Sequence, residues 1–96
     1  MKIRILAVAR TELLDAKEYY NNERAGLGFE FVVEFKNTLL RIAGFPAAWP
    51  QLSNRLRRCI MNRFPYSVIY ELNHDCIRVV AVMHMRRDPK CWQNRI

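Results

Sequence analysis

The residues best suited to chemistry lie near the end of the chain, in the run His84-Met85-Arg86-Arg87. Histidine exchanges a proton near neutral pH, so His84 could serve as a general acid or base. The guanidinium group of arginine forms paired hydrogen bonds with carboxylates and phosphates. The pattern therefore fits either a catalytic site or a surface that binds an acidic partner.

The positive charge of the chain is concentrated in its second half. The 96 residues include 16 Lys/Arg and 9 Asp/Glu, a net charge of +7. Residues 1–50 contain seven basic and six acidic residues (net +1), whereas residues 51–96 contain nine basic and three acidic residues (net +6). Eight of those nine basic residues are arginine. This excess predicts an acidic partner, either a nucleic acid or an acidic protein.

Composition argues against several other classes of protein. The chain is 51% hydrophobic, which predicts one folded domain over residues 1–96. Cys59, Cys76 and Cys91 lack the close spacing of zinc ligands, so we expect reduced thiols, no metal and no cofactor. No apolar run approaches the roughly 20 residues that cross a bilayer, and the start is not typical of a signal peptide. We therefore expect a cytoplasmic protein without contact to the membrane.

Hydrophobic spacing in the first half predicts a strand followed by two helices. Residues 2–8 are rich in β-branched side chains and predict a strand. Residues 9–23 and 28–43 change to helical spacing, with Phe31, Phe35, Leu39 and Ile42 on one face of the second helix. Gly26 and Gly28 separate the helices, and Gly44 is a C-cap candidate. The short connection predicts a helical hairpin.

The second half predicts three antiparallel strands and an overall α+β fold. Residues 45–54 contain two prolines and predict a loop. Strands are expected at residues 56–63, 66–72 and 76–85, with Pro65 opening the second strand and a turn at residues 73–75.

Alternation along the last strand predicts which side chains share a face. One face would pack under the helices and the other would be open. The first set is Ile77, Val79, Ala81, Met83 and Met85, and the second is Arg78, Val80, Val82, His84 and Arg86.

Several motifs, taken in order, resemble the RelE/ParE superfamily of bacterial toxins, the toxin halves of type II toxin–antitoxin pairs. They are A-x-x-E-L-L-x-A-x-x-Y-Y at residues 9–20, L-G-x-x-F at 27–31, I-x-x-F-P at 42–46, R-R at 57–58, R-F-P-Y-x-V-I-Y at 63–70 and A-V-x-H-x-R-R-D-P-x-x-W at 81–92. Each motif alone is weak, but their order and spacing are specific. The closing H-x-R-R-x-P-x-x-W is similar to the ParE-like branch, often described as plasmid stabilisation proteins.

The resemblance implies a fold and two alternative activities. The fold is an N-terminal strand, a helical hairpin and a three-stranded antiparallel meander (β-α-α-β-β-β). ParE-type members bind and inhibit DNA gyrase, whereas RelE-type members cleave mRNA in the ribosomal A site. Both types are neutralised by a cognate antitoxin. We expect that antitoxin to be acidic, and we expect the toxin to meet DNA only indirectly, through the antitoxin.

Two departures from the RelE pattern favour the gyrase-binding alternative. No tyrosine follows Tyr70, and arginines replace the lysine pair expected after the helices. If the chain is nevertheless a nuclease, His84 would activate the ribose 2′-hydroxyl, and Arg58, Arg78 or Arg86 would stabilise the phosphorane.

The residues predicted to bind the target or the antitoxin are basic or aromatic and lie in the second half. They are Arg57, Arg58, Arg63, Arg78, His84, Arg86, Arg87 and Trp92. We expect these arginines to supply charge complementarity with the antitoxin. Apolar grooves on the helical hairpin would supply affinity.

Overall fold

The computed structural model describes residues 1–87 and Arg95. Within them the elements follow in the order β1 (Lys2–Ile5), α1 (Ala7–Glu23), α2 (Leu27–Gly44), β2 (Leu56–Ile60), β3 (Tyr66–Asn73) and β4 (Cys76–His84). Strands β2, β3 and β4 form the predicted antiparallel meander, and β1 pairs in parallel with β4, so the strand order is β1-β4-β3-β2. The predicted α+β fold is confirmed. The parallel pairing of β1, which was not predicted, makes the sheet mixed.

The first strand is shorter than predicted because the chain turns into α1 at Ala7. The expectation that the strand continues to Val8 was wrong: Val8 is 40% exposed, whereas Ala9 is fully buried on the inner face of α1. The last backbone hydrogen bond toward β4 runs from the Leu6 N–H to the Val79 carbonyl. Beyond Val79, β1 no longer covers this edge of β4.

Helices α1 and α2 approach each other closely at Gly28. Gly26, in the turn before α2, has a φ of +89°, a left-handed conformation that suits glycine. The Gly28 N–H donates a hydrogen bond to Asn21 Oδ1 at 2.8 Å, and a Cβ at Gly28 would collide with the backbone carbonyl of Lys17. Neither helix in the described part of the chain is long and apolar enough to span a bilayer.

The core lies between the helical hairpin and one face of the sheet. The predicted stripe of α2 is confirmed, since Phe31, Phe35 and Ile42 are buried and Leu39 packs against them. Tyr70 of β3 is fully buried, and its hydroxyl donates to the Pro46 carbonyl, which fastens the 45–54 loop to the sheet. Burial raises the pKa of Tyr70 to about 12.

The second face of the sheet carries a smaller apolar cluster of its own. Its buried members are Leu56, Ile69, Val80, Ala81 and Met83, with Leu6 and Leu52 packed at the margin. The face therefore combines apolar positions with charged ones.

Strand β2 ends at Ile60, three residues before its predicted end. The cause is local backbone geometry, because Arg63 has a φ of 71° and cannot continue an extended strand. The Met61 N–H still donates to the Tyr66 carbonyl at 2.9 Å, which closes the β2–β3 connection. At the end of α2, Gly44 is the last helical residue and Phe45 takes the C-cap position, one residue later than predicted.

Replacing Gly28 with alanine should destabilise the protein, whereas the same change at Gly44 should not. The Gly28→Ala methyl would meet rigid backbone, so we expect a loss of about 1–3 kcal/mol in the free energy of unfolding. Gly44 has nothing within 4 Å of an added Cβ, and alanine suits a helix better than glycine. Urea titration followed by circular dichroism measures both variants. Equal effects at the two positions would contradict the close approach at Gly28.

Candidate functional site

A β-bulge in β4 changes which face of the sheet each side chain at the end of this strand lies on. The β3–β4 register pairs Tyr70 with Val79 and Ile69 with Ala81, which leaves Val80 as an extra residue in β4. An extra residue shifts the alternation of side chains by one position. The faces predicted by simple alternation therefore hold through Val80, which lies on the second face as expected, and fail from Ala81 onward.

Beyond the bulge, the predicted faces were wrong. Val82 packs in the core beneath the helices, and Met83 belongs to the apolar cluster on the second face. His84 turns toward α1, instead of sharing the open face with Arg78 as predicted. Arg86 follows the strand in an exposed turn.

His84 is fixed by contacts on two sides. Its ring packs edge-on against Tyr66 with the ring centroids 5.2 Å apart. Its Nδ1 accepts a hydrogen bond from the Arg86 backbone N–H at 3.1 Å. An Nδ1 that accepts a hydrogen bond carries no proton, so the neutral ring has its hydrogen on Nε2. His84 is therefore set up as a hydrogen-bond donor through Nε2.

A cavity of about 230 Å³ opens between α1 and the end of β4. Its lining includes Asp15, Tyr19, Tyr66, His84 and Arg87. Burial and the neighbouring Tyr19 raise the pKa of Tyr66, although Arg87 opposes the shift, so its hydroxyl keeps its proton at neutral pH. Tyr66 is not among the site residues predicted from the sequence. Its pairing with His84 could not be seen, because that pairing depends on the bulge.

The carboxylate of Glu12 joins α1 to β4 and to the end of the chain. Oε1 accepts from the Val82 N–H at 3.0 Å and from Arg95 at 2.9 Å, and Oε2 accepts from Arg87 at 3.2 Å and from Arg95 at 3.0 Å. Arg95 also donates to the Val80 carbonyl at 3.0 Å. Sequence reasoning missed this role, since a carboxylate on the polar side of a helix carries no distinguishing signal.

Four of the arginines predicted to bind a partner are engaged within the protein. Arg57 donates to the Trp49 carbonyl at 2.8 Å, and Arg87 is paired with Glu12. Arg63 lies 2.6 Å from a Glu30 carboxylate oxygen and 3.7 Å from one of Glu34. The Arg63 contact lowers the pKa of Glu30 below its usual value. The exposed charge of the second half is therefore smaller than the sequence suggests.

Arg78 belongs to an ion cluster on the second face of the sheet. It lies 2.7 Å from one oxygen of Glu71, and Arg55 lies 2.6 Å from the other. The Glu71 side chain is only 5% exposed, and both of its oxygens are paired with these two arginines. Glu71 is therefore not available to a further cation.

Arg58 and Arg86 are different, because neither side chain has an ion-pair partner among residues 1–87 and Arg95. Arg58 lies on the second face of the sheet, opposite Ile69 of β3. Trp92, the remaining predicted contact residue, lies outside the described residues.

The structure brings some of the predicted residues together and separates others. His84 and Arg87 line the cavity beside α1 and also border the groove that Arg58 lines. Arg57, Arg63 and Arg78 are engaged elsewhere, in contacts within the protein. The chain matches the family model for the ParE toxin of the parDE type II toxin–antitoxin system over residues 3–89. The chain belongs to the ParE toxin family.

The fold agrees with this assignment to the ParE family. A solved chain from the chromosomal ParDE TA system of P. aeruginosa is similar, with a TM-score of 0.75 over 88% of this chain and 95% of that chain. The two sequences are 15% identical, so the likeness concerns the fold. No curated protein sequence matches the chain significantly. The predicted resemblance to the ParE-like branch is confirmed.

The ParE match includes Glu12, His84 and Arg87 but ends before Arg95. The contact of Arg95 with Glu12 therefore lies beyond the part that the family model covers. Within the described residues of this ParE-family chain, no group of three or more His, Cys, Asp or Glu side chains could ligate a metal ion. Cys59 and Cys76 are free thiols, and burial raises the pKa of Cys59.

Replacing Glu12 with glutamine should destabilise this ParE-family protein much more than the same change at Glu18. Glu12→Gln leaves two arginines facing an amide, and the Glu12 and Arg95 side chains are only 11% and 13% exposed. We expect the free energy of unfolding to fall by about 1–3 kcal/mol. Glu18→Gln changes an exposed carboxylate on the same helix and should cost less than about 0.5 kcal/mol. Chemical denaturation compares the pair, and a similar stability for both variants would show that the Glu12 contacts contribute little.

Proposed function

We propose that this ParE-family chain is a cytoplasmic toxin that inhibits bacterial growth by binding DNA gyrase, and that a cognate acidic antitoxin neutralises it. The toxin acts by occupying its target and catalyses no reaction. The proposal extends the family assignment from a type of toxin to a target and a mode of action. The main support for a binding mode of action is the hydrogen bond that Nδ1 of His84 accepts from the Arg86 backbone N–H.

This hydrogen bond supports a binding role for His84 over a catalytic one. A general base needs a nitrogen with a free lone pair. In the neutral ring, Nδ1 already accepts from the Arg86 N–H, and Nε2 carries the hydrogen. A general acid would need a proton on Nδ1 as well, which would break the bond to Arg86. The ring as placed is best suited to donating a hydrogen bond to an acceptor on a partner.

The charges of the chain support an acidic antitoxin. The net charge of +7 favours rapid association with an acidic protein, even after the internal ion pairs are taken into account. Contact with DNA would then come through the antitoxin, as predicted for this class.

One observation favours the alternative, a ribosome-dependent mRNA endonuclease of the RelE type. Tyr66 lies against His84 and supplies the aromatic partner that appeared to be missing from the sequence. Burial raises the pKa of Tyr66, so its hydroxyl stays protonated at neutral pH and can donate a hydrogen bond. In that case Tyr66 would act with His84, and Arg58 or Arg86 would contact the scissile phosphate.

Induction of the chain without antitoxin separates the two functions. We expect growth to stop, the purified protein to block supercoiling by gyrase, and mRNA on translating ribosomes to remain intact. The control is the same toxin mixed with its antitoxin, which should restore supercoiling. Cleaved mRNA together with normal supercoiling would overturn the gyrase proposal in favour of the nuclease.

Two variants of His84 test its role more finely. His84→Asn keeps an acceptor near the position of Nδ1 but loses Nε2, whereas His84→Gln keeps a donor near the position of Nε2. If His84 contacts a partner through Nε2, the Gln variant should inhibit growth more strongly than the Asn variant. Growth curves at matched expression, with protein levels checked, give the comparison. Complete loss of growth inhibition in both variants, with the fold intact by circular dichroism, would instead support catalysis.

A further inference from the structure

An apolar groove with a cationic margin crosses one end of the second sheet face. Its floor is formed by Ile69 of β3 and Met83 of β4, and Met85 lies beside them above Ser67, with its sulfur 3.1 Å from the Ser67 hydroxyl. The groove has a volume of about 70 Å³, room for part of one aliphatic side chain. Met85 is 44% exposed, so the apolar surface is open to solvent.

The groove continues toward the outer strand of the sheet. Ile60 of β2 lies opposite Ser67 in the register and is 45% exposed. Ile60 and Met85 are therefore the exposed apolar positions here, whereas Ile69 and Met83 are only 2% and 4% exposed. Exposed apolar groups grouped in this way are typical of a surface that another protein covers.

Arg58 places a positive charge at the margin of this groove. It lines the groove from β2, and it has no carboxylate partner among the described residues. The acidic residue on the same face, Glu71, is already paired with Arg55 and Arg78. A carboxylate from outside the protein is therefore the natural partner of Arg58.

We infer that this groove is the docking site of an acidic amphipathic segment of the antitoxin. A carboxylate of the segment pairs with Arg58, and an apolar side chain next to it packs on the exposed Met85, over the groove floor of Ile69 and Met83. The inference rests on the proposed antitoxin-regulated function and deepens it by naming the surface. Affinity and charge complementarity then come from one face of the sheet, instead of being divided between the arginines and the helical hairpin.

The helical hairpin offers a rival apolar surface without the same charge. Phe29 and Leu40 of α2 are 67% and 69% exposed. The following residues Glu30 and Glu34 are both paired with Arg63, and Glu30 is also paired with Arg24. On this side of α2, Arg41 donates to the Ile60 carbonyl and lies over the Trp49 ring, whereas the Arg58 side chain has no such contacts within the described part of the chain. The hairpin surface serves as the comparison in the test.

The methionine methyl groups give a direct readout in the unmodified protein. The chain has four methionines, so a toxin with isotope-labelled methionine methyl groups should show a small set of assignable NMR signals. On addition of the antitoxin encoded beside the toxin gene, the signals of Met83 and Met85 should shift. The signal of Met61, which is buried in the core under the helices, should stay. Shifts that spare Met83 and Met85 in a formed complex would overturn the inference.

Matched substitutions test the two parts of the groove separately. Arg58→Glu reverses the charge at the groove, and Arg10→Glu makes the same change on exposed α1. Met85→Glu and Leu40→Glu each place a carboxylate on an exposed apolar position. We expect Arg58→Glu and Met85→Glu to raise the Kd for the antitoxin by roughly tenfold or more, and the two controls to change it by less than about twofold.

The possible outcomes distinguish this inference from the proposed function. If the wild-type toxin does not bind the antitoxin, the proposed function fails and the docking site fails with it. If the wild type binds and Arg58→Glu binds equally well, only the docking site is wrong. A larger loss for Leu40→Glu than for Met85→Glu would move the docking site to the helices.

Discussion

Along the part of β4 that β1 does not reach, Glu12 and Arg95 make the backbone hydrogen bonds that a neighbouring strand would otherwise make. β1 ends at Ile5 because the chain must enter α1, and its last bond reaches only Val79. Farther along β4, the Val82 N–H and the Val80 carbonyl bond instead to Glu12 and Arg95. A buried backbone group without such a partner would cost about 1–3 kcal/mol. One ion pair thus completes the edge of the sheet and holds Arg95 against α1.

The bulge at Val80 lies at the same place and decides which chemistry the end of β4 can support. It turns His84 toward α1 and Tyr66 and leaves Met83 on the second face. The imidazole packs against Tyr66 beside α1, and it also lines the groove that Arg58 borders. The hydrogen bond that Nδ1 accepts, not distance from this arginine, supports a toxin that binds over one that cuts.

The helical stripe and the meander could be predicted because periodicity alone specifies them. Phe31, Phe35 and Ile42 recur at helical spacing, and the strands of the second half are separated by Pro65 and a polar turn. The bulge could not be predicted, since Val79, Val80 and Val82 are all apolar and fit either face. The partners of the arginines were also hidden. Arg63 pairs with glutamates that lie 29 and 33 positions earlier in the chain, as the contact with Glu30 shows. Such contacts depend on the folded arrangement of the helices, so a count of charges overestimated the free basic surface.

The state of the His84 ring tests the account most directly, because the bulge, the contact with Tyr66 and the assignment of a binding role all meet there. NMR of toxin with isotope-labelled histidine reports which ring nitrogen carries the hydrogen and which protons lie near the ring. In the neutral ring, we predict a hydrogen on Nε2 and through-space contacts from the ring to Tyr66. A hydrogen on Nδ1, or contacts from the ring to Arg78 in place of Tyr66, would contradict the account and restore His84 as a candidate base.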